Sequence, residues 1–282
     1  MMTAAKLGAG STDYYESTVA EGARIPGADM TDYYGEAGDA AARVFVVGRG
    51  DGERAEMESY LGVGDGQVLD GLMVGAWFNE PIAPSGASLG RAYSERSVYG
   101  YDVTTAAPKS VSMLWGLSDD AVVHEQIVAA HEAAIRSALG YLSEHAGYTR
   151  VHNPVTGQKD LVRTLGLSGV AYQHRTSRAG DPHLHTHVLI HNRQVRADGG
   201  GVGSLDGQSL LHELKAGGSI YQAALRAELS QRLGVSWKDV DPTTGQADLK
   251  QVSREHIEAW SQRHNQISAV SYTHLRAHET DS

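Results

Sequence analysis

The sequence predicts an α/β (α+β) fold, with a central sheet flanked by helices that alternate with the strands and then follow them. Short apolar runs separated by turn residues recur up to about residue 190, a pattern that is typical of strands. One long helical segment lies among these strands, and helical patterns dominate after residue 205. Because a sheet needs other elements to cover its apolar faces, this order indicates a layered domain.

Local signals along the chain predict the individual elements. The predicted strands cover residues 44–47, 98–105, 161–163 and 169–173. Pro108 ends the second strand, and a new element begins at Val111. The Gly-rich segment 48–95 predicts short helices and loops, and the segment 192–203 predicts a turn-rich connection. Helices are predicted at residues 119–146, with Gly147 as the stop, and at 210–215, 220–233 and 253–265.

Bulk composition excludes several classes of function. The 282 residues contain no cysteine, which excludes disulfides, thiolate zinc sites and a thiol nucleophile. There is no run of about 18 apolar residues and no signal-peptide layout at the N-terminus. The sequence therefore predicts a cytoplasmic protein with no membrane segment.

The charge distribution is uneven. The net charge of −10 taken alone argues against a nucleic-acid partner. Between residues 150 and 181, however, five basic side chains face only two acidic ones. This locally basic stretch surrounds a histidine-rich segment and favours a phosphate-bearing substrate there.

The most informative segment is residues 173–190, which predicts a strand, a turn closed by Asp181-Pro182 and a second strand. Because side chains alternate along a strand, His183, His185 and His187 share one face, and pairing of the strands brings His174 beside them. Converging neutral imidazoles bind transition metals, and three of them leave coordination positions open for catalysis. At this level all four histidines are equal candidates, and a polar strand with exposed histidines is the alternative.

Other candidate groups lie earlier in the chain. Asp102, within the block from Tyr101 to Ser112, is the candidate carboxylate for activating water or a hydroxyl. The hydroxyl candidates belong to two tyrosine pairs, Tyr14-Tyr15 and Tyr33-Tyr34. A phenol attacks poorly unless a metal-polarised phosphate and a base assist it. Taken alone, paired tyrosines near an N-terminus are normally packing residues, and Asp102 alone fits a helix cap or a surface acid better than a catalytic role.

In order along the chain, four features resemble the MobF-type conjugative relaxases, the TrwC/TraI-like group of the HUH endonuclease superfamily. They are the tyrosine pairs, the Tyr-Asp-Val-Thr block with Ala-Pro-Lys-Ser-Val-Ser, the His-x-Thr-Ser-Arg-Ala-x-Asp-Pro turn, and Leu-His-Thr-His-Val. The resemblance covers residues 6–266. It implies a palm-like HUH endonuclease fold with the histidine hairpin central in an antiparallel sheet. It also implies metal-dependent DNA nicking and rejoining at a transfer origin through a 5′-phosphotyrosine.

The resemblance assigns roles to the histidines and the basic residues. It implies that His174, His185 and His187 hold the metal, and that His183 is a flanking residue that contacts DNA. The basic residues Lys109, Arg175 and Arg178 are candidates for contacts to the DNA backbone. Arg175 stands where an acid is common in the family, so a partner for a ligand histidine is absent at that position.

It also assigns roles to the tyrosines and to Asp102. Tyr14 matches the initiating nucleophile, and Asp102 matches the acid that orients or deprotonates it. Tyr33 matches the residue that performs a second transfer in some members, whereas Tyr15 and Tyr34 have lesser roles in the chemistry. The two pairs lie 19 positions apart (33 − 14), wider than in the best-known members, so the second transfer is the weaker assignment.

Domain organisation follows from the resemblance and from the tail. We expect a relaxase domain over residues 1–268, in which residues 205–268 form helical fingers that close over single-stranded DNA. Residues 270–282 resemble the translation of a sequencing adapter, so we expect a non-native tail and a natural protein that continues into a helicase region. No P-loop pattern occurs in the chain.

The implied cofactor is a divalent metal ion, Mg or Mn, although imidazole ligands are also compatible with Zn and Ni. The implied partners are single-stranded DNA with an origin-of-transfer hairpin, and accessory transfer proteins. Two other functions fit parts of the pattern. One is a three-histidine metallohydrolase without a covalent tyrosine, and the other is a non-catalytic module that binds a DNA hairpin.

Overall fold

The structure is a computed structural model, and it describes residues 2–22, 41–177 and 179–262, without the side chains of residues 17–22. The strands are β1 (Met2–Leu7), β2 (Arg43–Gly48), β3 (Gly100–Ala106), β4 (Tyr148–His152), β5 (Lys159–Arg163), β6 (Gly166–Thr176), β7 (Pro182–His191), β8 (Arg193–Val195) and β9 (Val202–Ser204). The helices are α1 (Ser11–Gly22), α2 (Asp51–Leu61), α3 (Gly71–Asn79), α4 (Lys109–Leu117), α5 (Ala121–Ala146), α6 (Gly207–Leu233) and α7 (Arg254–Ala259).

Five strands form the main sheet in the order β1-β3-β7-β6-β2, and every neighbouring pair is antiparallel. Strand β7 is central, with β6 on one side and β3 on the other. Two small hairpins, β4–β5 and β8–β9, stand beside this sheet. The predicted fold class, with a central antiparallel sheet and the histidine hairpin at its centre, is therefore confirmed.

Alternation along β7 separates the two faces of the sheet. Leu184, Val188 and Ile190 pack with the buried residues of α5 and α6 in one apolar cluster. Leu189, on the opposite face, belongs to a second cluster that includes Trp77 and other buried residues of α2 and α3. Helices thus cover both faces, as the apolar run at the end of β7 requires.

Helix α5 begins and ends as its sequence predicts. The side chain of Asp120 accepts a hydrogen bond from the Val122 amide at 2.8 Å, which satisfies one of the amides that the first turn leaves unpaired. Gly147 follows the last helical residue.

The C-terminal helices differ from the prediction. The two helices predicted at 210–215 and 220–233 are wrong, because α6 runs unbroken from Gly207 to Leu233. Gly217 and Gly218 do not interrupt it, since they lie where α6 passes close to β1: a Cβ on Gly218 would stand 3.0 Å from Met2 Cβ. The strand β1 itself was not predicted.

Helix α6 lies within the segment 205–268 that was predicted to form the helical fingers. Leu210, Tyr221, Leu225 and Leu229 on its inner face belong to the core, so the segment 205–268 begins with a core helix. Its closure over DNA stays a prediction. Residues after 262, including the expected tail, lie outside the described residues. No helix in the described ranges is long and apolar enough to cross a membrane.

The contact between β6 and β7 leaves no room for a side chain at Gly169. A Cβ there would stand 1.9 Å from the Leu189 carbonyl oxygen, which is part of the rigid central strand. We expect Gly169→Ala to lower the free energy of unfolding by about 3 kcal/mol, because the two central strands must separate to admit the methyl group. Denaturant unfolding of the purified chain measures this change.

Gly140→Ala is the matched control for this prediction. Gly140 lies within α5, and a Cβ there would meet nothing within 4 Å. Since alanine favours a helix over glycine, this variant should gain up to about 1 kcal/mol. Equal stability of the two variants would contradict the assigned close approach of β6 and β7.

Candidate active site

The hairpin of β6 and β7 gathers three histidines on one face of the sheet. His174 pairs directly with His185 across the two strands, and His187 is the next residue along that face. The ring centres lie 5.2 Å apart for His174 and His185, 5.0 Å for His174 and His187, and 5.3 Å for His185 and His187. Three imidazole nitrogens about 2.1 Å from one tetrahedral metal would separate the ring centres by about 5 Å. The spacing therefore fits a shared ion.

In two of these rings, the hydrogen bonds leave the Nε2 nitrogen available to bind a metal. The Nδ1–H of His185 donates to the His183 carbonyl oxygen at 2.8 Å. The Nδ1–H of His187 donates to the Asp102 carboxylate, whose oxygens lie 2.9 and 3.0 Å away. A neutral ring that donates from Nδ1 presents the lone pair of Nε2 to a ligand. Among the described residues, no group of three or more His, Cys, Asp or Glu side chains forms a ready-made metal site.

Burial keeps His174 and His185 neutral. It lowers the pKa of His174 to about 4, with the neighbouring His187 as a second cause. It also lowers the pKa of His185 to about 4, against the opposing effect of the hydrogen bond to His183. Since a metal competes with protons for imidazole, neutral rings near neutral pH are prepared for binding.

Asp102 lies on β3, the other neighbour of β7, and it connects the histidines to the N-terminal helix. Its carboxylate is buried and accepts the hydrogen bond from His187 described above. It also accepts from the Tyr15 hydroxyl at 2.8 Å and from the Thr104 hydroxyl at 3.3 Å. Asp102 is therefore neither a helix cap nor a surface acid.

Helix α1 places the first tyrosine pair against this cluster. The Tyr15 ring is buried, with its centre 5.2 Å from the centre of His187 and stacked at 5.4 Å on Tyr172. Tyr14 lies edge-on to Tyr15 at 5.3 Å and is 49% exposed. Burial, followed by the charge of Asp102, raises the pKa of Tyr15 well above its usual value, so Tyr15 keeps its proton here.

This arrangement differs from what the resemblance implies. The family pattern pairs the acid at Asp102 with Tyr14, whereas the structure places Tyr15 on Asp102. Successive residues of a helix point about 100° apart, so only one member of the pair faces the sheet. The second pair, Tyr33 and Tyr34, lies outside the described residues.

Two of the residues predicted to contact DNA, His183 and Lys109, lie at the histidine hairpin. His183 stacks on His185 with ring centres 4.5 Å apart, so it does flank the three histidines. Lys109 is half-buried, and its Nζ donates to the Pro182 carbonyl at 2.8 Å, which braces the turn of the hairpin. Both remain candidates for DNA contact, and Arg178 lies outside the described residues.

Arg175 lies on the other face of the sheet, and its contact to the DNA backbone stays a prediction. It follows His174 on β6, so its side chain points to the opposite face of the sheet, where its guanidinium stacks over Trp115 at 5.5 Å. A contact from Arg175 to a phosphate held at the histidines is not compatible with this position.

The prediction from sequence missed three residues of the site. The Thr104 hydroxyl lies 3.2 Å from His187 Nδ1. Tyr172 donates a hydrogen bond to Glu16 on α1, the helix that carries Tyr14 and Tyr15 and is called the tyrosine helix below. Strand alternation was a usable signal for two of them, since Thr104 is two residues from Asp102 and Tyr172 is two residues from His174. Nothing in the sequence indicated Glu16.

Comparisons with known proteins agree with this geometry. The family model of the TrwC relaxase matches residues 8–282. The multifunctional conjugation protein TraI of Escherichia coli is 31% identical over 226 residues, which are 77% of this chain and 12% of that protein. TraI of Escherichia coli strain K12 is 36% identical over 143 residues, 50% of this chain and 7% of that protein. The chain thus spans about one eighth of the length of TraI or less.

Solved structures show the same fold. The conjugative relaxase TrwC in complex with origin-of-transfer DNA, in its metal-free form, has a TM-score of 0.74 and 24% identity, with 97% of this chain and 84% of that chain covered. Its copper-bound complex has a TM-score of 0.72 and 25% identity, with coverage of 95% and 82%. Because the family model spans almost the whole chain, the chain belongs to the TrwC relaxase family.

Proposed function

We propose that this domain nicks and rejoins one DNA strand at a conjugative transfer origin through a covalent 5′-phosphotyrosine. The single observation that carries the proposal is the bridge made by Asp102, which joins the tyrosine helix to the three-histidine cluster. Neither a metallohydrolase nor a DNA-binding module needs a tyrosine helix packed on such a cluster. Membership of the relaxase family supports the same reaction.

We assign the metal to His174, His185 and His187, because the spacing of their rings fits a divalent ion. Burial also keeps His174 and His185 neutral. When bound, such an ion polarises the scissile phosphate and stabilises the charge that develops on its oxygens. The residues of this chain then have separate tasks. Asp102 orients His187, and Tyr15 anchors α1 by its hydrogen bond to Asp102.

Tyr14 is the proposed nucleophile. Its half-exposed side chain lies at the surface of the site, where a DNA strand has access, whereas Tyr15 is buried and keeps its proton. The Tyr14 oxygen forms a bond to phosphorus, and the bond from phosphorus to the 3′ oxygen breaks. The Asp102 carboxylate, which the neighbouring Tyr15 contacts, takes up the phenol proton, and the proton ends on the 3′ oxygen, which leaves as a hydroxyl. Reversal of these steps rejoins the strand.

The finer assignments belong to the same proposal. We propose Mg or Mn as the metal, with Zn and Ni also compatible with imidazole ligands. The proposed substrate is single-stranded DNA next to an origin hairpin, and TrwC has been solved with a 27-mer DNA that comprises the recognition hairpin and the cleavage site. In the same proposal, accessory transfer proteins assist in the cytoplasm.

Labelled single-stranded oligonucleotides tiled across the DNA that flanks the gene test the proposal. We expect the chain with Mg²⁺ or Mn²⁺ to give cleavage and an SDS-stable protein–DNA band on a denaturing gel. EDTA should abolish both, and His185→Ala should lower the yield at least about 100-fold, because the site loses one of three ligands.

The same gel, together with a native gel, separates the alternatives. Cleavage without the SDS-stable band would replace the proposal with a three-histidine metallohydrolase. An origin hairpin that the chain shifts on the native gel, without cleavage of any tile with or without metal, would leave a DNA-binding module. Val155→Ala, a change at an exposed loop residue between β4 and β5, serves as the control variant and should cleave normally.

A further inference from the structure

A second buried polar group lies behind the three histidines, on the opposite face of the sheet. His131 of α5 is fully buried, with its Nε2 2.9 Å from the Thr186 hydroxyl of β7. Its Nδ1 lies 2.7 Å from the hydroxyl of Tyr221 on α6, which is also fully buried. A hydrogen-bonded chain of three side chains therefore joins the central strand to both long helices.

The place of Thr186 connects this chain to the active site. Thr186 lies between His185 and His187 on β7, with its side chain on the opposite face. Its carbonyl oxygen also accepts a hydrogen bond from the Thr105 hydroxyl of β3 at 3.3 Å. The backbone between two proposed metal ligands is thus held from α5 and from β3.

The hydrogen bonds of this buried chain also define the distance between its three members. Burial lowers the pKa of His131 to about 3, so the ring is neutral and has one donating and one accepting nitrogen. Such a ring can make both bonds: either the Tyr221 hydroxyl donates to Nδ1 and Nε2–H donates to the Thr186 hydroxyl, or both directions are reversed. Apolar contacts are non-directional and permit small slides, whereas two hydrogen bonds define the distance from the helices to β7.

We propose that Tyr221, His131 and Thr186 form a positioning chain that sets the backbone of β7 so that His185 and His187 share one metal ion. The inference rests on the proposed metal site. None of the three residues contacts metal or DNA in this assignment, since they act through the strand. Metal sites depend strongly on the residues that orient their ligands, and loss of such a partner typically lowers metal affinity about 10–100-fold.

Affinity for Mn²⁺, measured on the full chain without DNA by the electron paramagnetic resonance of the free ion, tests the inference. Thr186→Val keeps the branched shape but removes the hydroxyl, and we expect about tenfold weaker Mn²⁺ binding. Thr186→Ser keeps the hydroxyl and should bind within about twofold of the original chain. Nicking by Thr186→Val should show a lower kcat with an unchanged KM for DNA.

Two further variants make the outcome decisive. Thr149→Val removes another buried hydroxyl, which donates to the Val162 carbonyl outside the main sheet, and should leave Mn²⁺ affinity unchanged. Tyr221→Phe breaks the chain at its other end and should weaken Mn²⁺ binding in the same direction, even if Thr186→Val fails to fold.

Melting temperatures of all variants distinguish a change in the position of the metal ligands from a change in the stability of the fold. Normal Mn²⁺ affinity in both Thr186→Val and Tyr221→Phe, with lowered melting temperatures, would overturn the inference and leave a purely structural network. If the unsubstituted protein does not bind Mn²⁺ and His185→Ala gives the same result, the proposed metal site and the inference are overturned together.

Discussion

Tyr14→Phe is expected to abolish the covalent protein–DNA adduct, with a loss in yield of at least about 1000-fold, because phenylalanine has no oxygen to bond to phosphorus. The exposed position of Tyr14 makes this a clean test, since removal of its hydroxyl leaves the buried contacts of α1 in place. The measurement is the yield of the SDS-stable band with a labelled oligonucleotide that contains the nick site.

Tyr15→Phe is the matched control, because it removes the neighbouring hydroxyl of the same helix. The Tyr15 hydroxyl donates to the Asp102 carboxylate, and loss of one hydrogen bond to a charged group costs about tenfold in rate. We therefore expect a slower reaction that still forms the adduct. The reverse pattern, with adduct in Tyr14→Phe and none in Tyr15→Phe, would assign the nucleophile to Tyr15 and make Asp102 its direct base.

Asp102→Asn is expected to lower the nicking rate about 1000-fold and to weaken metal binding about tenfold. The carboxylate accepts hydrogen bonds from both His187 and Tyr15. An amide has nearly the same shape, but it can present its NH₂ group to His187 Nδ1. That ring would then carry its proton on Nε2, where it cannot bind a metal.

Single-turnover nicking and Mn²⁺ titration measure the two effects of Asp102→Asn separately. Asp120→Asn is a suitable control, because asparagine caps a helix as well as aspartate and the residue lies at the start of α5. A variant Asp102→Asn with unchanged rate and unchanged Mn²⁺ affinity would show that the carboxylate neither orients His187 nor handles the proton.

Much of the site follows from alternation within single strands. The common face of His185 and His187 required only their spacing on β7, and the pairing with His174 required only a hairpin. The same rule places Arg175 on the face opposite His174, where it lies over Trp115. The prediction of two helices in place of α6 was wrong because packing against β1 favours a close approach of backbones, which glycines permit.

The sequence by itself determined the family, the fold class and the face on which the histidines lie, because these depend on motifs and on spacing within one element. Only the tertiary structure decided that Tyr15 rather than Tyr14 meets Asp102, and that His131 contacts Thr186 on the strand between His185 and His187. These contacts join residues 87 and 55 positions apart. They depend on the rotation of each helix about its axis when it packs on the sheet, and that rotation is set by the whole core rather than by any local pattern.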